Sequence, residues 1–235
     1  MTERNLRIDL AAVCRLAARF GWQEAVANHC SLAVSADGRQ FLMNTRWRDF
    51  GKLRASELAL LDSSTEVLPP EIDRTAWAIH GALHALLPQA RCVLHLHPTY
   101  ATALSCLEDK RLLPVDQTSA RFFNRVAIDT DYAGFADSRA EGERLAAVLG
   151  EKKILMMGNH GLLVIGADVA EAFDAFYHFE RAARTLLLAY GSGEQVQVLD
   201  DAVAEKTARA WEAEPEFAAV HFVEMCRGLD PDYRD

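Results

Sequence analysis

The chain has 235 residues, half of them hydrophobic and a quarter charged, with 25 Lys and Arg against 34 Asp and Glu, a net charge of −9. That balance is globular rather than disordered or collagen-like, and the length suffices to bury a sizeable core. The acidic surplus argues against nucleic acid or an anionic membrane as partner, and no apolar run approaches the roughly 18 residues of a spanning helix.

The N-terminal MTERNLRIDL is charged early and lacks the apolar stretch of a signal peptide. Leu6, Leu10, Val13, Ala17 and Phe20 then recur at helical spacing, and Gly21 supplies a stop. Ser31–Ser35 and Arg39–Met43 read as strands joined through Ala36-Asp37-Gly38, a hairpin signal, and Leu58–Leu61 as another strand. Asp73 to Leu87 is helical, with Ile72, Ala76, Ile79 and Leu83 on one face and Pro88 beyond its end. Cys92–Leu96 reads as a buried strand, Pro98 as the first position of the next helix, and Val126–Ile128 as a weak strand. Asp137–Leu149 is a helix with an Asp cap and a stop at Gly150. Ile154–Met157 and Leu162–Ile165 are strands separated by Gly158-Asn159-His160-Gly161. Asp168 caps a long helix to Tyr190, and Ala202–Arg227 is helical but interrupted at Pro215. Hairpins mixed with helix–strand alternation imply a layered α/β domain with a mixed sheet, spanning 1–235 with a helical tail from about 200. Five widely spaced cysteines, Cys14, Cys30, Cys92, Cys106 and Cys226, fit a reduced cytoplasmic setting better than a disulfide framework.

The sharpest chemical feature is Leu94-His95-Leu96-His97-Pro98. Residues two apart in a strand share a face, so both imidazoles converge and suit one divalent ion. His160 sits where glycines let the backbone turn sharply and bring a third ring to a site. Three neutral imidazoles with open positions are a catalytic rather than a structural metal set. His80 and His84 stand four apart on the Asp73–Leu87 helix, but the glutamate that a zinc-protease helix carries between its histidines is missing, so they read as packing or hydrogen-bonding groups. His29 reads either as a substrate contact or as the cap of the following strand. His178 and His221 fall in helical patterns as structural or surface groups.

The order of segments resembles the class II aldolase/adducin family. The matching pieces are Ala27-Asn28-His29-Cys30-Ser31; Phe41-Leu42-Met43-Asn44 with Asp49-Phe50-Gly51-Lys52-Leu53; Ile79-His80 with Arg91-Cys92-Val93-Leu94-His95-Leu96-His97; and Gly158-Asn159-His160-Gly161-Leu162-Leu163. The resemblance implies an α/β/α fold with a mixed, largely antiparallel central sheet, and a homotetramer with active sites at subunit interfaces. It implies His95, His97 and His160 as ligands of a divalent metal, zinc first and manganese, cobalt or iron as alternatives. Asn28 keeps a family position from which it can donate to substrate.

The chain also departs from the pattern. The acid/base glutamate of the sugar-phosphate aldolases falls near Ala76, with Glu71 and Asp73 close in sequence. Their phosphate loop is replaced by Asn44-Thr45-Arg46-Trp47-Arg48, and their paired serines by Arg74-Thr75. Small donors suit phosphate, whereas a guanidinium grips a carboxylate bidentately, which makes Arg46, Arg48 and Arg74 candidate substrate groups alongside Asn28 and His29. Glu71, or Gln117 and Tyr132 from a neighbouring subunit, are candidates for moving the proton. The expected activity is a metal-dependent decarboxylase or aldolase that forms an enolate from a small oxygenated carboxylate. The alternatives are a sugar-phosphate aldolase, a non-haem iron oxygenase on the same fold, and a non-catalytic adducin-like interaction module.

Overall fold

The pleat of the strands decides how the layers form. The computed structural model describes residues 2–65, 67–132, 134 and 138–235. Its strands are β1 (His29–Ala33), β2 (Gln40–Met43), β3 (Ala59–Asp62), β4 (Cys92–Leu96), β5 (Val126–Asp129), β6 (Ile154–Met157) and β7 (Gly161–Gly166). They form one seven-stranded sheet in the order β3-β2-β1-β4-β7-β6-β5. Neighbours pair antiparallel except β5 with β6, which run parallel. The sheet is therefore mixed and largely antiparallel, as expected.

Alternate residues of each strand face opposite layers. Cys92, Leu94 and Leu96 share one face with Met156, Leu162 and Val164. That face is covered by α1 (Glu3–Arg19), α3 (Thr99–Ser105), α6 (Val169–Tyr190) and α8 (Glu216–Cys226), through Leu10, Leu104, Phe173, Phe176 and Phe222. Val93 lies on the other face with Leu155, Leu163 and Ile165, under α2 (Arg74–Leu86) and α5 (Arg139–Leu149). Two helical layers enclose the sheet, giving the α/β/α arrangement.

Local chemistry sets the element ends. The Thr2 hydroxyl accepts from Asn5 N–H and opens α1, and Gly21, at φ +68°, turns the chain out of it. Asp73 accepts from Ala76 N–H at 3.1 Å to cap α2, and Asp168 from Glu171 N–H at 2.8 Å to cap α6. Gly38, at φ +74°, makes the β1–β2 hairpin. Pro98 proves to be the N-cap of α3 rather than its first residue. Asp137 lies outside the described residues; the cap of α5 is Ser138, which accepts from Glu141 N–H. Pro215 splits the tail into α7 (Asp201–Glu212) and α8, and Phe222 and Tyr233 bury their rings in the main core. The short α4 (Gln117–Ala120) and three 3-10 turns are too brief to show periodicity in sequence.

Close approach of α2 and α5 depends on Gly142, where an added Cβ would lie 2.2 Å from the Ala78 carbonyl oxygen and 2.9 Å from Ala82 Cβ. Gly142→Ala gains about 1 kcal/mol of helix propensity but must spread two packed helices against a backbone carbonyl, at a cost of about 2–3 kcal/mol. The melting temperature should fall by about 2–6 °C. An unchanged or raised melting temperature in scanning calorimetry would show that the helices yield freely.

Candidate metal centre

The site is built where β4 leaves the sheet beside β7. His95 points to the α2 side of β4, on the same face as Val93, and His97 follows two residues on. His160 stands in the turn between β6 and β7. Their ring centroids are 5.0, 4.8 and 4.8 Å apart in the three pairs, and one ligand nitrogen from each lies within 4.8 Å of the others. The sequence singled out these three, and the fold brings them together.

Their outer nitrogens are already committed. His95 Nδ1 donates to the Leu162 carbonyl at 3.2 Å, and His97 Nδ1 is hydrogen-bonded to the Glu24 carboxylate. Each neutral ring then carries its lone pair on Nε2, and the two Nε2 atoms face each other at 3.2 Å. Two bare lone pairs so close repel unless a cation or a proton sits between them. A carboxylate or carbonyl behind a metal-binding imidazole is the usual orienting arrangement. Burial lowers the pKa of His160 to about 4, and that of His95 well below the usual range, with neighbouring imidazoles adding to the effect. Neutral imidazoles are what a metal requires. The donor set fits a divalent ion.

Behind the centre lies a second line of histidines. His29 stands opposite His95 in the antiparallel β1–β4 register, with ring centroids 4.9 Å apart. His29 Nδ1 is 2.7 Å from His80 Nε2; the Ser31 hydroxyl lies 2.5 Å from His80 Nδ1 and 2.7 Å from His84 Nε2; and His84 Nδ1 is 2.6 Å from the Ala90 carbonyl oxygen. Burial lowers His29 and His84 to about 4 and holds His80 well below the usual imidazole range. His80 and His84 are thus hydrogen-bonding groups, as the missing glutamate implied.

Asn28 Oδ1 accepts from Glu24 N–H at 2.5 Å, while its Nδ2 is buried with no hydrogen-bond partner among the described residues. It shares Glu24 with His97, so this spare donor belongs to the edge of the centre. The Tyr132 ring is 6.1 Å from that of His160 and largely exposed. Arg74 is exposed at the first turn of α2. Arg46 stacks on Trp47 at 4.0 Å, and Arg48 stands 3.6 Å from Glu57. These two line an open cavity of about 520 Å³ with Glu71, so Glu71 joins the arginines rather than the imidazoles. Gln117 opens α4, which packs on α6 and α7, and its side chain is exposed.

One acidic residue at the centre, Glu24, has no sequence signal of its own, and a second, Asp73, has one that points to a different role. Glu24 sits in an irregular loop, and only the folded chain brings it to His97. Asp73 reads as a helix cap, yet its charge also falls on His29. Burial pushes its carboxyl up, but hydrogen bonds from Ala76 and Thr75 and the nearby imidazole together hold it below the ordinary value.

A second cluster, Asp174, His178 and His221, also has ligand atoms within 4.8 Å of one another. Its carboxylate is occupied: Arg121 Nη2 donates at 2.5 Å and His221 Nδ1 at 2.7 Å. A guanidinium on the same carboxylate opposes a further cation. This cluster ties α6 to α8 and to the residue ending α4. It flanks a cavity of about 720 Å³, which the three converging histidines do not line.

A mixed sheet between two helical layers, with three imidazoles converging where β4 leaves it, defines an α/β protein with a histidine set able to hold a divalent ion. The chain belongs to the class II aldolase/adducin family, whose model, the Class II Aldolase and Adducin N-terminal domain, matches residues 8–187. It is 35% identical to a Caulobacter vibrioides protein provisionally named as a class 2 aldolase, over 88% of this chain and 81% of that one. Mouse gamma-adducin is 30% identical over 84% of this chain, which spans only 29% of the adducin. Among solved structures, an aldolase II superfamily protein from Pseudomonas syringae superposes with TM-score 0.91 and 32% identity, covering 99% of this chain and 96% of that one. L-fuculose 1-phosphate aldolase from Glaciozyma antarctica gives 0.86 and 26%, covering 99% and 93%.

Alanine at His95, His97 or His160 should abolish stoichiometric divalent metal with the fold retained, whereas His84→Ala should keep its metal. Metal analysis with circular dichroism checks both; full metal in the His95→Ala/His97→Ala double variant would defeat the assignment. In metal-free protein, stability should be level above about pH 6.5. Below it the unfolded chain binds protons that buried His29 and His84 refuse until about pH 4. Each such group then costs up to about 1.4 kcal/mol per pH unit. Urea midpoints should fall from pH 6.5 to 5, less steeply in His84→Ala, and equal slopes in the two proteins would contradict the burial argument.

Proposed function

We propose that the protein is a divalent-metal-dependent carbon–carbon lyase, a decarboxylase or aldolase, acting on a small oxygenated carboxylate. The observation that carries this reading is the convergence of the His95 and His97 lone pairs beside His160, in a chain whose resemblance to the sugar-phosphate aldolases puts their acid/base glutamate near Ala76. A divalent ion held there, zinc first and manganese, cobalt or iron next, would supply a Lewis acid for the oxyanion that develops as the carbon–carbon bond breaks. Leu162 and Glu24 hold the two strand imidazoles in the tautomer that keeps Nε2 free. The spare Nδ2 donor of Asn28 suits a substrate oxygen.

The missing glutamate favours decarboxylation over aldol cleavage. Carbon dioxide departs without a base, and only a proton donor is needed afterwards, whereas aldol cleavage requires a base to take the hydroxyl proton. Tyr132, beside His160, is the candidate donor within this subunit. Gln117, exposed on α4, makes no hydrogen bond to the three imidazoles among the described residues and fits as a contribution from a neighbour in a homotetramer. Exposed apolar side chains on α6 and α8, Leu188, Val220 and Val223, favour such an assembly. A cytoplasmic setting suits this chemistry, and among the described residues no helix is long and apolar enough to cross a membrane.

A sugar-phosphate aldolase is the second reading, favoured by the 26% identity to the Glaciozyma enzyme over nearly the whole chain. Substrate charge separates the two. A charge-assisted bidentate pair contributes about 1.5–3 kcal/mol, so losing the arginine that grips a carboxylate should raise KM about 10–150-fold. Arg74, free of any ion pair among the described residues, should show the largest effect, and Arg48, drawn to Glu57, the smallest. The Lys variant should recover only part of the loss. The metal-loaded enzyme is to be screened with 2-oxo acids, hydroxy acids, aromatic dicarboxylates and sugar phosphates, then with Arg46→Ala, Arg48→Ala and Arg74→Ala. Sugar phosphates cleaved best, with all three variants like wild type, would overturn the carboxylate reading.

A further inference from the structure

The histidines behind the metal centre form a hydrogen-bonded chain with a direction. The Ala90 carbonyl at its inner end can only accept, so His84 must carry its proton on Nδ1. His84 is buried and neutral, which leaves a lone pair on Nε2 to accept from the Ser31 hydroxyl. Having donated its only hydrogen, Ser31 Oγ must accept from His80 Nδ1–H. His80 Nε2 is then bare and accepts from His29 Nδ1–H. Four groups from β1 and α2 thus take the polarity imposed by one backbone carbonyl.

With Nδ1 spent on His80, His29 presents Nε2. That nitrogen has no hydrogen-bond partner among the described residues, and its ring lies 4.9 Å from His95. We propose that His29 is a specificity-determining hydrogen-bond acceptor beside the metal set, and that it selects ligands presenting a hydroxyl hydrogen there, 2-hydroxy acids over 2-oxo acids. Ser31, His80 and His84 are its positioning residues. The polarity of the chain, not a change of charge on any ring, carries the selection. A hydroxyl donates to the lone pair, whereas an oxo oxygen meets it with lone pairs of its own, and a site arranged around a substrate hydroxyl rejects the analogue lacking it. The choice of 2-hydroxy acids rests on the lyase reading above; the tautomer of His29 does not.

Two measurements on the full-length protein separate these. Long-range ¹H–¹⁵N spectra of ¹⁵N-histidine-labelled zinc-free protein, assigned with His29→Phe, should show His29 protonated at Nδ1 and bare at Nε2. Ser31→Ala should disturb the tautomers of both His80 and His29, and Ser31→Thr, which restores a hydroxyl, should recover them. An Nε2–H tautomer at His29 in the wild type would overturn the inference whatever the enzyme does. Calorimetry on the zinc-loaded protein should then give racemic lactate about tenfold or more tighter than pyruvate, with the ratio collapsing in His29→Phe. Pyruvate bound as tightly as lactate would overturn the selection and leave the lyase reading intact. Binding of neither acid would count against the carboxylate reading and the 2-hydroxy-acid class together.

Discussion

The antiparallel pairing of β1 with β4, in the register that sets His29 opposite His95, is the constraint on which the site depends. The pleat sends Cys30, Leu94 and Leu96 into the core beneath α1 and α6, and it sends His29, Ser31 and His95 to the α2 side. A slip of one residue would exchange the two sets, burying imidazoles among Phe173 and Phe176 and exposing leucines to the centre. The apolar contacts of the main core thereby hold the polar contacts of the site in place. His80 and His84, one helical turn apart on α2, meet β1 only in that register.

His29, His80 and His84 are buried rings with no carboxylate in hydrogen-bond contact among the described residues. His80 and His84 bond to each other through a serine and end on a backbone carbonyl, so their polar atoms are satisfied without charge. The Asp174 cluster solves the opposite problem. Its buried carboxylate is saturated by Arg121 and His221, and the hydrogen bonds and charges around it outweigh the burial that would raise its pKa. One arrangement leaves imidazole lone pairs for a cation; in the other the Arg121 guanidinium already occupies the carboxylate.

Much of the fold was legible because its elements are long or strongly patterned. β4, β6 and the capped helix from Asp168 to Tyr190 fall where spacing and caps put them. The three converging histidines were legible from strand parity and a glycine turn, and their grouping from the family resemblance. What escaped depends on contacts between segments far apart in sequence. Glu24 lies 73 residues from His97, and Ser31 lies 49 and 53 residues from His80 and His84. No periodicity encodes such pairings; only the sheet order does. Glu71 was placed near the metal by nearness in sequence to Ala76, yet the turn before α2 carries it into the cavity with Arg46, and Asp73, the helix cap, is the carboxylate that faces His29.

The central claim is that His95, His97 and His160 hold one divalent ion. Anomalous diffraction at the zinc edge from zinc-equilibrated crystals tests it directly. The account requires a single strong peak between the three rings, at about 2.0–2.1 Å from one nitrogen of each. A peak at Asp174, His178 and His221 instead, or no ordered zinc at the converging imidazoles, would contradict it.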